Sequence, residues 1–225
     1  MIEDYNPFED KNSAVEYYSQ KVNERFNLLH QKQTGFHEID IKRYETYQCV
    51  VFELGISAIV MISVTLEECL KTLLKYHYFF NNLPETPELN LEEWEKASLA
   101  AEDAFGTFKL HNAIQKARKE NLIDENEENV LLEIKEFIRN AFVHSDKSKI
   151  FDEQSKTRVD AVKLEDGKIQ HKGNRDMSIL ALNIAQGIAE KELANRESPR
   201  IVEQVDSIIV TICERFWKTH SRSQK

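Results

Sequence analysis

The chain is poor in residues that interrupt helices. It has six glycines and four prolines in 225 residues. That scarcity excludes a turn-rich sandwich and points to helices. Cysteine is scarce too. Cys49, Cys69 and Cys213 are odd in number and widely spaced, and no pair has metal-site spacing. The expectation is reduced thiols in a cytoplasmic protein. Long apolar runs are missing. The longest, Val50 to Val64, contains Glu53 and falls short of a membrane span. Met1 to Lys11 is acidic and polar, unlike a signal peptide. Positive charge is not in excess. The net charge of −9 speaks against a surface coated for non-specific nucleic-acid binding, although a small local site can still act on RNA. There is no Walker loop, no GxGxxG and no G-x-S-x-G, and the histidines show neither HxxxH nor HExxH spacing. No metal and no cofactor are expected.

What is present reads as amphipathic helix. Hydrophobic residues make up 41%, enough for an ordinary core, and the length suits one large domain or one domain with a helical arm. Asn12 or Ser13 caps a first helix running to about Gln33, with Val15, Tyr18, Val22, Phe26 and Leu29 on one face. Thr34-Gly35 ends it. One long helical pattern spans about Ile41 to Phe80. Its stripe includes Leu54, Ala58, Met61, Ile62, Leu66, Cys69, Leu70 and Leu73, with Gly55 as a kink. Asn81 to Asn90 reads as a loop. Leu91 to Phe105 is a short helix, and Phe108 to Asn121 another, with Leu110, Ile114 and Ala117 inward. Asp124 and Glu127 form a capping-box pair. The helix they start carries Val130, Ile134, Phe137, Ile138 and Ala141 as its stripe and ends near Phe142 to Ser145.

From Lys147 to Arg175 the composition changes. Alternating residues on either side of Asp166-Gly167 predict a β-hairpin with a two-residue turn, or a flexible insertion. Ser178 to Asn195 is helical, and Ser198-Pro199 restarts a final helix with Val202, Val205, Ile209, Ile212 and Phe216 inward. The basic tail from Lys218 frays. The expected organisation is an N-terminal helix packed on the core (1–36), a helical core (37–148), a hairpin or flexible insertion (149–175) and C-terminal helices (176–225).

One stretch offers chemistry. Arg139-Asn140-Ala141-Phe142-Val143-His144 places a fixed cation and a proton-transfer group at the end of an amphipathic helix. In RNA cleavage a 2′-OH attacks the adjacent phosphorus. His144 can act as base or acid, Arg139 can stabilise the added negative charge, and Asn140 can bond the phosphate or orient the His. On an ideal helix, positions five apart diverge by about 140°. Arg139 and His144 therefore converge only if the helix distorts, or if a second subunit completes the site. The helix dipole alone also favours Arg and His near a C-terminus.

Arg139-Asn140-x-x-x-His144 resembles the signature of the HEPN superfamily, small α-helical domains named for higher eukaryotes and prokaryotes nucleotide-binding. Leu66 to Leu74, with its acidic residue ahead of Leu70-Lys71, is similar to that family's earlier core helix. Lys109 to Asp124 is similar to the helix and turn before the motif. The likeness covers roughly Tyr44 to Asp146. It implies an all-α, HEPN-like antiparallel helical bundle that dimerises with the motif at the cleft, here with C-terminal helices and a small β-hairpin insertion added. Many members are metal-independent RNases of toxin–antitoxin, phage-defence or RNA-processing systems. Others are non-catalytic nucleotide-binding or protein-interaction scaffolds. The implied partners are RNA and a second copy of the chain, with no membrane. A nuclease that is always on is toxic, which implies a regulatory protein partner or a closed state.

Around the motif, Glu67 is the carboxylate that the likeness favours for tuning His144; a solvated helix flank is the plain alternative. Ser145 and Asp146 suit substrate binding or a turn. Lys109, His111, Lys116 and Arg118 suit a phosphate track or a solvated face. Lys147, Lys149, Lys156 and Arg158 suit an RNA-entry patch or a polar loop. Tyr76, Tyr78, Phe79 and Phe80 suit packing better than base stacking.

Overall fold

The computed structural model describes residues 11–29, 31–82, 91–136, 156–165, 168–178 and 183–222. The described chain is mostly helical. Helix α1 spans Lys11–Arg25 and passes into a short 3-10 turn at Phe26–Leu29. It stops short of the expected Gln33. Its apolar stripe is not covered as expected either: Val15 is 56% exposed and Phe26 52%.

Gly35 has φ +85, and a Cβ there would meet the Trp217 ring nitrogen at 2.6 Å. Only glycine suits both demands. Asp40, in the first turn of α2 (His37–Val51), reaches back to the Thr34 N–H at 3.0 Å, so the turn and the helix start hold each other.

The single long helix expected from Ile41 to Phe80 is two helices, α2 and α3 (Gly55–Asn82). Between them the Leu54 N–H donates to the Cys49 carbonyl and the Glu53 N–H to that of Val50. This is a Schellman turn, and Glu53 occupies its left-handed position with φ +57. Glycine normally sits there, and a side chain costs roughly 1–3 kcal/mol. Gly55 serves a different end. A Cβ on it would lie 2.4 Å from the Ala194 carbonyl carbon, and its N–H donates to Asn195 Oδ1 at 2.8 Å. It is the point where the start of α3 touches the backbone of the last helix, and Asn195 caps α3 from another element. Leu54, placed in the stripe by periodicity, is exposed.

Helix α3 is the hub, packing on α2, α4, α5 and the last helix. Ile59, Ile62, Leu66, Cys69, Leu70, Leu73 and Leu74 are buried along it, at the three- and four-residue spacing of one broad face. Helix α4 (Leu91–Phe105) matches its expected bounds and seats Phe105 against Tyr78 and Phe108. Helix α5 (Leu110–Lys119) buries Leu110, Ile114 and Ala117 as expected. It ends in a second Schellman turn with Asn121 at φ +57 and Leu122 closing it. Helix α6 (Glu125–Ile134) starts in the expected capping box. Its Glu127 also holds Arg215 through two bonds of 2.7 and 2.8 Å.

Strands β1 (Lys156–Glu165) and β2 (Lys168–Ser178) pair antiparallel. The final helix, α7, runs unbroken over Asn183–Arg222, with Pro199 inside it. The expected interruption at Ser198-Pro199 does not occur, and Ser178 belongs to β2. Ala194 and Ser198 before the proline and Ile201 and Val202 after it are all buried. Burial along both arms outweighs the roughly 3 kcal/mol that an interior proline costs.

A charged clamp joins α2 to α7. Arg43 is 1% exposed and Asp206 4%. The Arg43 Nε and Nη2 donate to the two Asp206 oxygens at 2.5 and 3.0 Å, and Nη1 donates to Asp40 and to the Lys32 carbonyl. The Tyr47 hydroxyl also donates to Asp206, and burial first, then the carboxylate, pushes its pKa well above the usual phenol value. Cys69 and Cys213, distant in sequence, meet with their sulfurs 3.7 Å apart as fully buried free thiols.

Candidate functional site

The motif residues Arg139, Asn140, His144 and Asp146, with Ser145, Lys147 and Lys149, lie outside the described residues. What leads up to them is described. Helix α6 is fixed at its start by the Asp124–Glu127 capping box and along its length by buried Leu131 and Ile134. It leaves regular α winding for a π turn at 135–136. Such departures recur at functional sites, and this one precedes Arg139 by three residues.

Of the motif and the residues expected to support it, Glu67 alone lies among the described ones. It stands on α3, half-buried, and its Oε2 accepts the Leu110 N–H at 2.8 Å. Its Oε1 lies 3.5 Å from Lys71. Lys109, which precedes α5, supplies no side-chain cap. Glu67 therefore caps α5 from across the core, placing negative charge where the helix dipole favours it. No spacing rule exposes a cap made between residues 43 positions apart.

The cations near this corner are engaged. Lys71 also pairs with Glu68 at 3.1 Å, and Lys75 with Glu102 at 2.6 Å. Lys116 pairs with Glu120 and lies over the Phe105 ring. Arg118 reaches Glu128 at 3.6 Å. Through its bond from Lys116, Glu120 is held below the usual carboxylate range. His111 is half-buried on α5, and its Nδ1 has no hydrogen-bond partner among the described residues. The aromatic end of α3 packs, as expected. Phe79 meets Trp94, Tyr78 meets Phe105, and Phe80 meets Phe216 and His220.

No family model, no curated protein and no solved structure matches this chain.

Two arrangements escaped the sequence reading. His77 and His220, from α3 and α7, meet edge to face with centroids 5.5 Å apart. Burial first, and then the neighbouring His220, lowers the His77 pKa, while Glu120 at 3.7 Å opposes that shift. Glu53 gathers three groups of α1: the Tyr17 hydroxyl at 2.5 Å, Lys21 at 2.8 Å and Arg25 at 3.2 Å. The bonds from Lys21 and Tyr17 hold its carboxyl below the usual range, and the bond to Glu53 pushes Tyr17 up to about 12. The left-handed turn at Glu53 and the attachment of α1 are thus one feature. Among the described residues no group of three His, Cys, Asp or Glu side chains is placed to hold a metal, and no helix is long and apolar enough to cross a membrane.

Proposed function

We propose that this protein is a metal-independent endoribonuclease whose Arg139 and His144 act at a cleft between two copies of the chain. His144 moves the proton of the attacking 2′-OH, and Arg139 stabilises the charge that builds on phosphorus. Asn140 and Asp146 support the substrate. Glu67 supports at one remove, through the start of α5. The products carry 2′,3′-cyclic phosphate ends. The observation that carries this reading is the motif itself, which follows directly on a capped, core-packed helix. One feature of the fold agrees with it: the surrounding core is helical. The resemblance places such an enzyme in phage defence or toxin–antitoxin regulation, under the control of a protein partner.

The test is cleavage of mixed RNAs in EDTA by the wild type, Arg139→Ala and His144→Ala, with product ends identified. Cleavage by the wild type alone, leaving cyclic phosphates, is expected, with losses of at least about a hundredfold in both variants. Full activity in either variant would sink the assignment.

A non-catalytic HEPN-like scaffold, binding a nucleotide or a protein, is the second reading. The paired cations Lys71, Lys75, Lys116 and Arg118 favour it, because paired charges make a poor phosphate track. Normal self-association without cleavage of any RNA would select it.

A further inference from the structure

Among the described residues the two strands stand apart from the helices. They pair with each other along their length, and among the described residues no helix makes more than marginal contact with them. Their ten and eleven residues make an arm of about 35 Å at the usual strand rise. A ribbon of two strands without a third strand or a packed helix is marginal in water. Packing against the described helices therefore gives no reason for its length.

Its charge does. The strands carry six cations (Lys156, Arg158, Lys163, Lys168, Lys172 and Arg175) against three carboxylates (Asp160, Glu165 and Asp176), in a chain whose net charge is −9. The pairing register sorts them. Arg158 stands opposite Asp176, and Lys168 opposite Glu165. These two cations thus stand at register positions facing a carboxylate. Lys156 stands opposite Ser178, Lys163 opposite Gln170 and Arg175 opposite Val159. The register shifts between Asp160 and Val162, which sets Lys172 and Gly173 against Ala161 alone, a bulge. Four cations thus have no acidic register partner. Lysines on open strand edges also deter edge-to-edge pairing, but charges of either sign serve that purpose. An excess of one sign is what a phosphate backbone selects.

We propose that the β1–β2 arm captures single-stranded RNA by its phosphate backbone and delivers it to the motif. The proposal rests on the ribonuclease reading above. Eleven residues separate His144 from Lys156, so chain length alone keeps the root of the arm within about 40 Å of the motif. Phosphate contacts position a nucleic acid without reading its bases, so the arm contributes capture and orientation rather than sequence choice.

The experiment measures fluorescence anisotropy of a labelled twenty-nucleotide RNA across a salt series, with the full chain. It compares the wild type, a variant with Lys156→Gln, Lys163→Gln, Lys172→Gln and Arg175→Gln, a charge-preserving variant (Lys→Arg and Arg175→Lys at the same positions) and His144→Ala. Thermal melting by circular dichroism checks folding. The Gln variant is expected to bind at least tenfold more weakly at low salt, and its log–log salt slope falls by roughly 3, as four lost phosphate contacts require. Its KM rises while kcat holds. The charge-preserving variant binds like the wild type. His144→Ala binds normally and does not cleave. An unchanged slope in the Gln variant overturns the arm, whether or not the wild type cleaves. Arm-dependent RNA binding by a wild type that never cleaves upholds the arm and overturns the nuclease reading. Arm-dependent binding confined to duplex DNA, or to phosphatidylserine vesicles, overturns RNA as the occupant.

Discussion

Two clamps in this molecule have similar parts and different surroundings. At the seam of α2 and α7, Asp206 is gripped by Arg43 and Tyr47. At the rim, Glu53 is gripped by Tyr17, Lys21 and Arg25. The Arg43 side chain is 2% exposed, whereas the Glu53 side chain is 29% exposed. Water can replace a partner at the rim but not at the seam. Similar hydrogen bonds therefore hold the core together in one place and a detachable helix in the other. The seam clamp is costly to break because it leaves a buried charge alone. The rim clamp is screened and contributes little to global stability.

The comparison breaks first at the seam. Arg43→Ala is expected to cost about 3–5 kcal/mol in urea unfolding, through the stranded Asp206 carboxylate. A loss under about 1 kcal/mol would place both clamps in one class. Next comes Gly55→Ala, which forces a methyl group into the Ala194 backbone and should cost about 2–3 kcal/mol. A neutral result would mean that the helices separate freely there. Asn195→Ala removes the cap from α3 and should cost about 1 kcal/mol by the same measurement.

The smallest global effect is expected at the rim. Glu53→Gly frees the left-handed turn from strain while removing the clamp. Its unfolding midpoint should barely move, while amide exchange in α1 rises severalfold. Equal exchange in both proteins would show that α1 is held by something else. The clamp also carries a pH signature. The folded pKa of Glu53 is depressed, so its contribution is present above the ordinary carboxylate range and is lost as pH falls through the folded value. That of Tyr17 is raised from 10 to about 12, so its contribution is present below about pH 10 and is lost as pH rises through 12. Helicity should drop by a fraction matching α1 at both extremes, and Glu53→Gln should abolish the acid limb.

Local signals were legible where the chain obeys them. The bounds of α4, the Asp124–Glu127 box and the inward faces of α5 and α7 followed from spacing and caps. The break between α2 and α3 was hidden because Glu53 occupies the position where glycine would announce it, while the nearby Gly55 marks a close approach instead. The stripe on α1 has helical periodicity whether or not anything covers it. Pro199 signals a break that burial on both sides overrides. Of the candidate site only Glu67 lies among the described residues, and its partner on α5 is chosen by packing rather than by spacing.

The Trp217 indole donates to the Thr34 carbonyl, 183 positions earlier, and stacks on Phe36. A ribosome adding about 5–20 residues per second needs roughly 10–40 s to travel from one to the other. For most of that interval, from Asn82 onward, the apolar face of α3 has been made and α7, which packs on it, has not. Helices α2, α4 and α5 can cover part of that face, but the side that α7 fills stays open until the last fifth of the chain is synthesised. Translation that stops before α7 leaves the hub helix without one of its walls.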